Sequence, residues 1–142
     1  MSFINYVTHR GRTYPTGIRG QCVEFARRWL IHHDILFENV EHAIDIWNIP
    51  SVIQLSERQS VLPFYSIPND GHSLPTIGSL LIYRKVKNKL PYGHVAVVIG
   101  VDRKKRLVYI DERNRRNHSK IIPILENGRL GDPDILGWKM LL

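Results

Sequence analysis

Residues 94–114 read HVAVVIGVDRKKRLVYIDERN, and the pairing of this stretch decides the fold. Two β-rich runs, 94–102 and 106–113, flank a short basic turn, the rhythm of neighbouring antiparallel strands. Side chains alternate across a strand, so Tyr109, Asp111 and Arg113 share one face and Ile110, Glu112 and Asn114 the other. Ile110 is apolar and marks the core-facing row. Glu112 and Asn114 therefore extend that row to the strand end, where a carboxylate and an amide are costly without partners. His94, at the mouth of the adjacent strand just after Gly93, is a natural partner, although a lone histidine is more often structural.

Moving outward, "SLLIYR" (79–84), "KIIPIL" (120–125) and "ILGWKML" (135–141) read as further strands of the same sheet. Upstream, Cys22, Phe25, Ala26, Trp29 and Leu30 recur at i, i+3, i+4, i+7 and i+8, a single helical stripe. A second helix is expected over 40–49, ending before Pro50, which disfavours helix in its predecessor. The first twenty residues read as an irregular entry segment. Residues 50–77 carry turn signals such as Asn69-Asp70-Gly71 and no clear period. Helices first and sheet second predicts an α+β domain, with N-terminal helices carrying the cysteine packed on a C-terminal antiparallel sheet. The absence of repeats and linkers predicts one domain over residues 1–142.

Cys22 is the chain's only cysteine, which rules out an internal disulfide and a cysteine-based zinc site. Free cysteines are commonly buried and inert. A helix N-terminus and a nearby imidazolium both lower a thiol's pKa, and the thiolate is the attacking form. The histidine in turn needs a carboxylate or amide to fix its tautomer. Cys22, His94, Glu112 and Asn114 meet these requirements as nucleophile, base and orienting groups. Helix-start N–H groups suit the oxyanion of an attacked amide. Gln21 is a candidate addition to that oxyanion site, and Arg27, one turn beyond Cys22, is a candidate for a substrate carboxylate or an exposed helix arginine.

The segments "QCVEFARRWL", "AIDIW", "IPNDGHSLPTIGSLLIY", "YGHVAVVIGV", "VYIDERN" and "ILGWKML" occur in this order. Together they resemble the CHAP-type cysteine amidohydrolases, a branch of the papain-like fold, most closely the glutathionylspermidine amidase domains. The resemblance implies Cys22 as nucleophile, His94 as base, Glu112 as its orienting acid and Asn114 as the fourth member of the set. It implies hydrolysis of an amide through a thioester, with no cofactor and no metal. The implied substrate is glutathionylspermidine or a related glycyl-amide conjugate.

Composition frames the alternatives. With 43% hydrophobic and 23% charged residues the chain reads as a globular protein. The N-terminus lacks a basic segment followed by an apolar one, and no apolar run approaches the ~20 residues that span a bilayer, so a cytoplasmic protein without a membrane span is expected, or one exported without a cleavable signal. The net charge of +7 concentrates in 84–89, 102–106 and 113–120. Such runs are commonly solvated loops, but they also suit an anionic surface. They lack interleaved aromatics and any nucleic-acid motif, so no nucleic-acid partner is expected. Two readings stand beside the amide-conjugate hydrolase: a peptidoglycan amidase or endopeptidase acting as a lysin or antibacterial effector, and a non-catalytic binding module. The four-residue set argues against the module, which has no need of all four. His32 and His33, at the tail of the first helix, read as a C-terminal charge pair, and Trp29, Trp47 and Trp138 as core.

Overall fold

The computed structural model describes residues 3–56, 58–112 and 119–142. The chain opens not with an irregular segment but with a hairpin, β1 (Ile4–His9) and β2 (Arg12–Ile18). Arg10 (φ 51°) and Gly11 (φ 75°) turn it, two left-handed residues in the manner of the tight turns that match strand twist. The helix α1 (Cys22–Ile31) follows, then β3 (Ile35–Leu36) and a 3-10 helix, Ala43–Asn48. Next come β4 (Ser51–Gln54), β5 (Ser60–Pro63) and β6 (Tyr65–Pro68). The last five strands are β7 (Leu80–Tyr83), β8 (His94–Asp102), β9 (Leu107–Asp111), β10 (Ser119–Pro123) and β11 (Ile135–Met140).

The expected α+β arrangement of N-terminal helices laid on a C-terminal sheet is corrected by these elements. The described chain is mostly β: eleven strands, with one α-helix and one short 3-10 helix. The second expected helix shrinks to six residues of 3-10 geometry, because Asp45 reaches back to the His42 N–H (3.1 Å) and Pro50 closes the segment. The unassigned stretch after Pro50 supplies β4, β5 and β6.

Six strands form the central antiparallel sheet in the order β10-β9-β8-β7-β11-β6, while β3-β4-β5 and β1-β2 form two smaller sheets. All four residues of β7 are buried, because the sheet is covered on both faces there. Leu80 and Ile82 face one apolar cluster with Val95 and Val97 of β8, Phe25, Ala26 and Leu30 of α1, and Ile46. Leu81 and Tyr83 face the other, with Ala96, Val98, Val108, Ile110 and Trp138. This two-sided burial explains the continuous apolar runs that carry no alternation. A register shift between Val98 and Gly100 marks a bulge at Ile99, after which β8 and β9 pair in a new phase. Among the described residues, no helix is long and apolar enough to cross a membrane.

Candidate active site

Cys22 is the first residue of α1 and is half-buried. The chain enters the helix through Gln21, whose backbone is extended (ψ 152°) and whose carbonyl accepts the Phe25 N–H at 3.1 Å. The Gln21 N–H in turn donates to the Ile18 carbonyl at the end of β2 (3.2 Å), so hairpin and helix start are joined. Glu24 tightens this corner: it is buried, accepts from Asn5 of β1 at 3.3 Å and pairs with Arg28 at 3.1 Å. The thiol is thereby held on a braced helix end.

His94 begins β8 and pairs across the sheet with Tyr83 of β7. The turn before it needs glycine. Gly93 has φ 76°, and a Cβ there would lie 2.7 Å from the Tyr83 carbonyl oxygen and 3.0 Å from the Ile44 side chain. The Tyr83 ring lies against the imidazole, centroids 5.1 Å apart. Glu112 follows the last residue of β9. Asp111 pairs with Val97, so the register carried one step further sets Glu112 opposite Ala96, diagonal to His94 on the same face. The side chains meet: His94 Nε2 and Glu112 Oε1 are 3.1 Å apart. The other carboxylate oxygen, Oε2, takes the Lys120 ammonium at 3.0 Å.

His94 thus stands at the sheet end where the two core faces meet. Cys22 belongs to the α1 side, and Glu112 continues the opposite row from Ile110. With Nε2 given to Glu112, Nδ1 is the imidazole nitrogen left to face the thiol. The electrostatics follow from these contacts. Burial pushes the Cys22 thiol up, but its hydrogen bond with His94, the charge of that imidazole and the Val95 and Val23 N–H groups outweigh burial and bring it below its ordinary value. Burial likewise pushes His94 down, yet Cys22 and Glu112 prevail and lift it to about 9. Glu112 is drawn down to about 2 by the hydrogen bond to His94, which with the Lys120 ammonium overcomes its burial. Burial and the acids Glu112, Asp132 and Asp134 hold the Tyr83 phenol well above its usual range, so it stays protonated. Both shifts act in the direction of the thiolate–imidazolium form of the pair.

A cavity of about 660 Å³ opens beside the His94–Glu112 pair, bounded also by Tyr83, Leu90, Lys120 and residues 131–134; Cys22 is not in its wall. The remaining sequence candidates lie elsewhere. Gln21 is exposed, makes no side-chain cap and borders a small cavity with Asn5, Arg19 and Glu24. Arg27 is neither exposed nor in the cleft. It is buried, donating to the Pro15 carbonyl at 2.7 Å and the Phe37 carbonyl at 3.2 Å. Asn114 lies outside the described residues. Sequence reasoning missed Tyr83 and Lys120. Tyr83 sits inside an apolar run, and Lys120 reads as the tail of a solvated basic segment.

The motif that joins these residues can be set against known proteins. The CHAP domain family profile matches residues 10–114, a range that takes in Cys22, His94 and Glu112. The chain belongs to the CHAP domain family. It is also 32% identical, over 140 residues, to the bifunctional glutathionylspermidine synthetase/amidase of Escherichia coli (strain K12), and equally to that of Shigella flexneri. Each alignment covers 86% of this chain but 22% of the relative, so the chain spans about a fifth of those relatives' length. Lys120, β10 and β11 of this CHAP protein lie beyond the family match.

Proposed function

We propose that the chain is a single CHAP unit, residues 1–142, acting as a cysteine amidohydrolase with Cys22, His94 and Glu112 as its reacting set and Asn114 as a supporting member. The observation that carries the proposal is the relay through one imidazole, with Cys22 on one side and Glu112 at 3.1 Å on the other. The Cys22 thiolate attacks the amide carbonyl carbon, and the first turn of α1 presents the Cys22 N–H to the oxyanion. Imidazolium His94 protonates the leaving amine, which departs and leaves a thioester. Neutral His94 then takes a proton from water, which attacks the thioester and releases the acid and the thiolate. Glu112 holds the imidazole orientation through both halves.

For the substrate, the relatives' names and the segment-by-segment resemblance support a glycyl-amide conjugate of the glutathionylspermidine type. A peptidoglycan peptide is the second reading, supported by the net charge of +7 and by the exposed cations of 84–89 and 103–106, which suit an anionic polymer. Incubation with glutathionylspermidine and, separately, with purified peptidoglycan divides the two. Mass spectrometry is expected to find spermidine released in the first, and no product in either with Cys22→Ala. New amines from peptidoglycan alone would transfer the assignment to the second reading. No product from either would overturn the amidase.

A further inference from the structure

We infer that Lys120 is a positioning residue of this site, gripping one oxygen of Glu112 so that the other stays aimed at His94. The inference rests on the proposed roles of Cys22, His94 and Glu112. The geometry is a product of sheet register. Lys120 on β10 pairs with Ile110 on β9, and Glu112 lies two residues beyond Ile110 on the same face. A diagonal neighbour across a strand pair is within reach of a lysine side chain, and the contact is made at 3.0 Å. Each oxygen of the carboxylate then has one fixed partner, Oε2 on Lys120 and Oε1 on His94 at 3.1 Å. Without the ammonium, the carboxyl group is free to rotate about its last bond and Oε1 leaves the imidazole for part of the time.

An ordinary exposed ion pair would contribute little, since the Lys120 side chain is 65% exposed against 14% for Glu112. The two roles differ in what they change. A decorative pair alters neither the histidine nor the thiol, whereas a positioning pair acts on both. Besides Glu112, the titratable groups around His94 are Cys22 from α1, Tyr83 from β7 and Lys120 from β10. Asp132 and Asp134 precede β11, the latter paired with Lys89 at 2.6 Å. All except Lys120 remain unchanged in the variant.

The test compares Lys120→Met, Lys120→Arg and, as a distant control, Arg58→Met, an exposed arginine between β4 and β5. On glutathionylspermidine, Lys120→Met is expected to lower kcat about fivefold at unchanged KM. Its alkaline limb should move to lower pH, because His94 loses a fixed carboxylate. Iodoacetamide alkylation of Cys22, which needs no substrate, should show its midpoint shifted to higher pH. Lys120→Arg should restore both readouts and Arg58→Met should match the parent protein. An unchanged alkylation midpoint in Lys120→Met, or an alkaline limb moved upward by simple loss of a cation, overturns the inference and leaves the amidase reading intact. A Cys22 that is inert in the parent protein overturns both.

Discussion

In the proposed mechanism His94 is the residue on which the chemistry turns, because both of its neighbours favour its charged form. Raised to about 9 while Cys22 is lowered, it sets a window in which thiolate and imidazolium coexist. The activity profile should therefore rise as pH climbs through the depressed thiol value and fall near 9, measured as kcat/KM against pH. Cys22→Ala removes an anion that stabilises the imidazolium, so the His94 ring protons should titrate at lower pH by NMR; an unmoved titration would deny the contact. Glu112→Gln removes the other anion and leaves only a neutral amide oxygen to orient the ring, and should cut kcat/KM by at least about tenfold while drawing the falling limb to lower pH. That Cys22, His94 and Glu112 meet was legible in the sequence, because strand alternation and motif context bear directly on side-chain direction. Lys120 was not, since its contact depends on the β9–β10 register, which no local pattern encodes. Nor was Arg27's place, for a stripe of apolar residues does not reveal that a neighbouring arginine turns inward to two carbonyls.

At the scale of elements, the site depends on how two chain ends are delivered: the start of α1 and the start of β8. Gly93 is the hinge of the second delivery. Gly93→Ala puts a methyl group against the Tyr83 carbonyl at φ 76°, and should destabilise the protein by about 1–3 kcal/mol. The loss should appear as a lower Tm together with slower labelling of Cys22, because the shift also moves His94. A variant with parental Tm and labelling would mean that this turn has room the geometry denies. The strands after Gly78 were legible, each within a few residues, because β-branched runs separated by turns leave few alternatives. The β1–β2 hairpin was not, since its turn is Arg10-Gly11 and an arginine at φ 51° has no ordinary turn signature. The stretch read as a second helix had helical spacing, but the cap at His42 and Asp45 starts it only at Ala43 and Pro50 closes it, which leaves six residues of 3-10 helix.

At the scale of the molecule, a buried cation on β11 joins parts of the mostly β architecture. Lys139 of β11 is 1% exposed, and its ammonium donates to the carbonyls of Ile49 (2.6 Å) and Phe64 (2.9 Å) and to the Ser66 hydroxyl (2.9 Å), with Trp47 O at 3.3 Å. It ties the 3-10 helix and the segments around β4 and β6 to the central sheet. Lys139→Met takes the ammonium from the Ile49 and Phe64 carbonyls, while Trp47 O keeps the Ser66 hydroxyl at 2.7 Å, and should cost about 3 kcal/mol or more in denaturant unfolding. An unchanged midpoint would show that the clamp is dispensable. No sequence rule marked it, because a lysine in "ILGWKML" has the pattern of a solvent-facing member of an alternating strand. The same blindness led the order of helices and strands to suggest α+β where the chain builds three sheets. The proposed function comes down at every scale to an activated Cys22, and one labelling experiment reaches it directly. At pH 6, iodoacetamide should label Cys22 stoichiometrically by intact-protein mass spectrometry, and His94→Ala should abolish the reaction. A parent thiol that stays unlabelled, or equal labelling of the two proteins, would show that His94 does not activate Cys22.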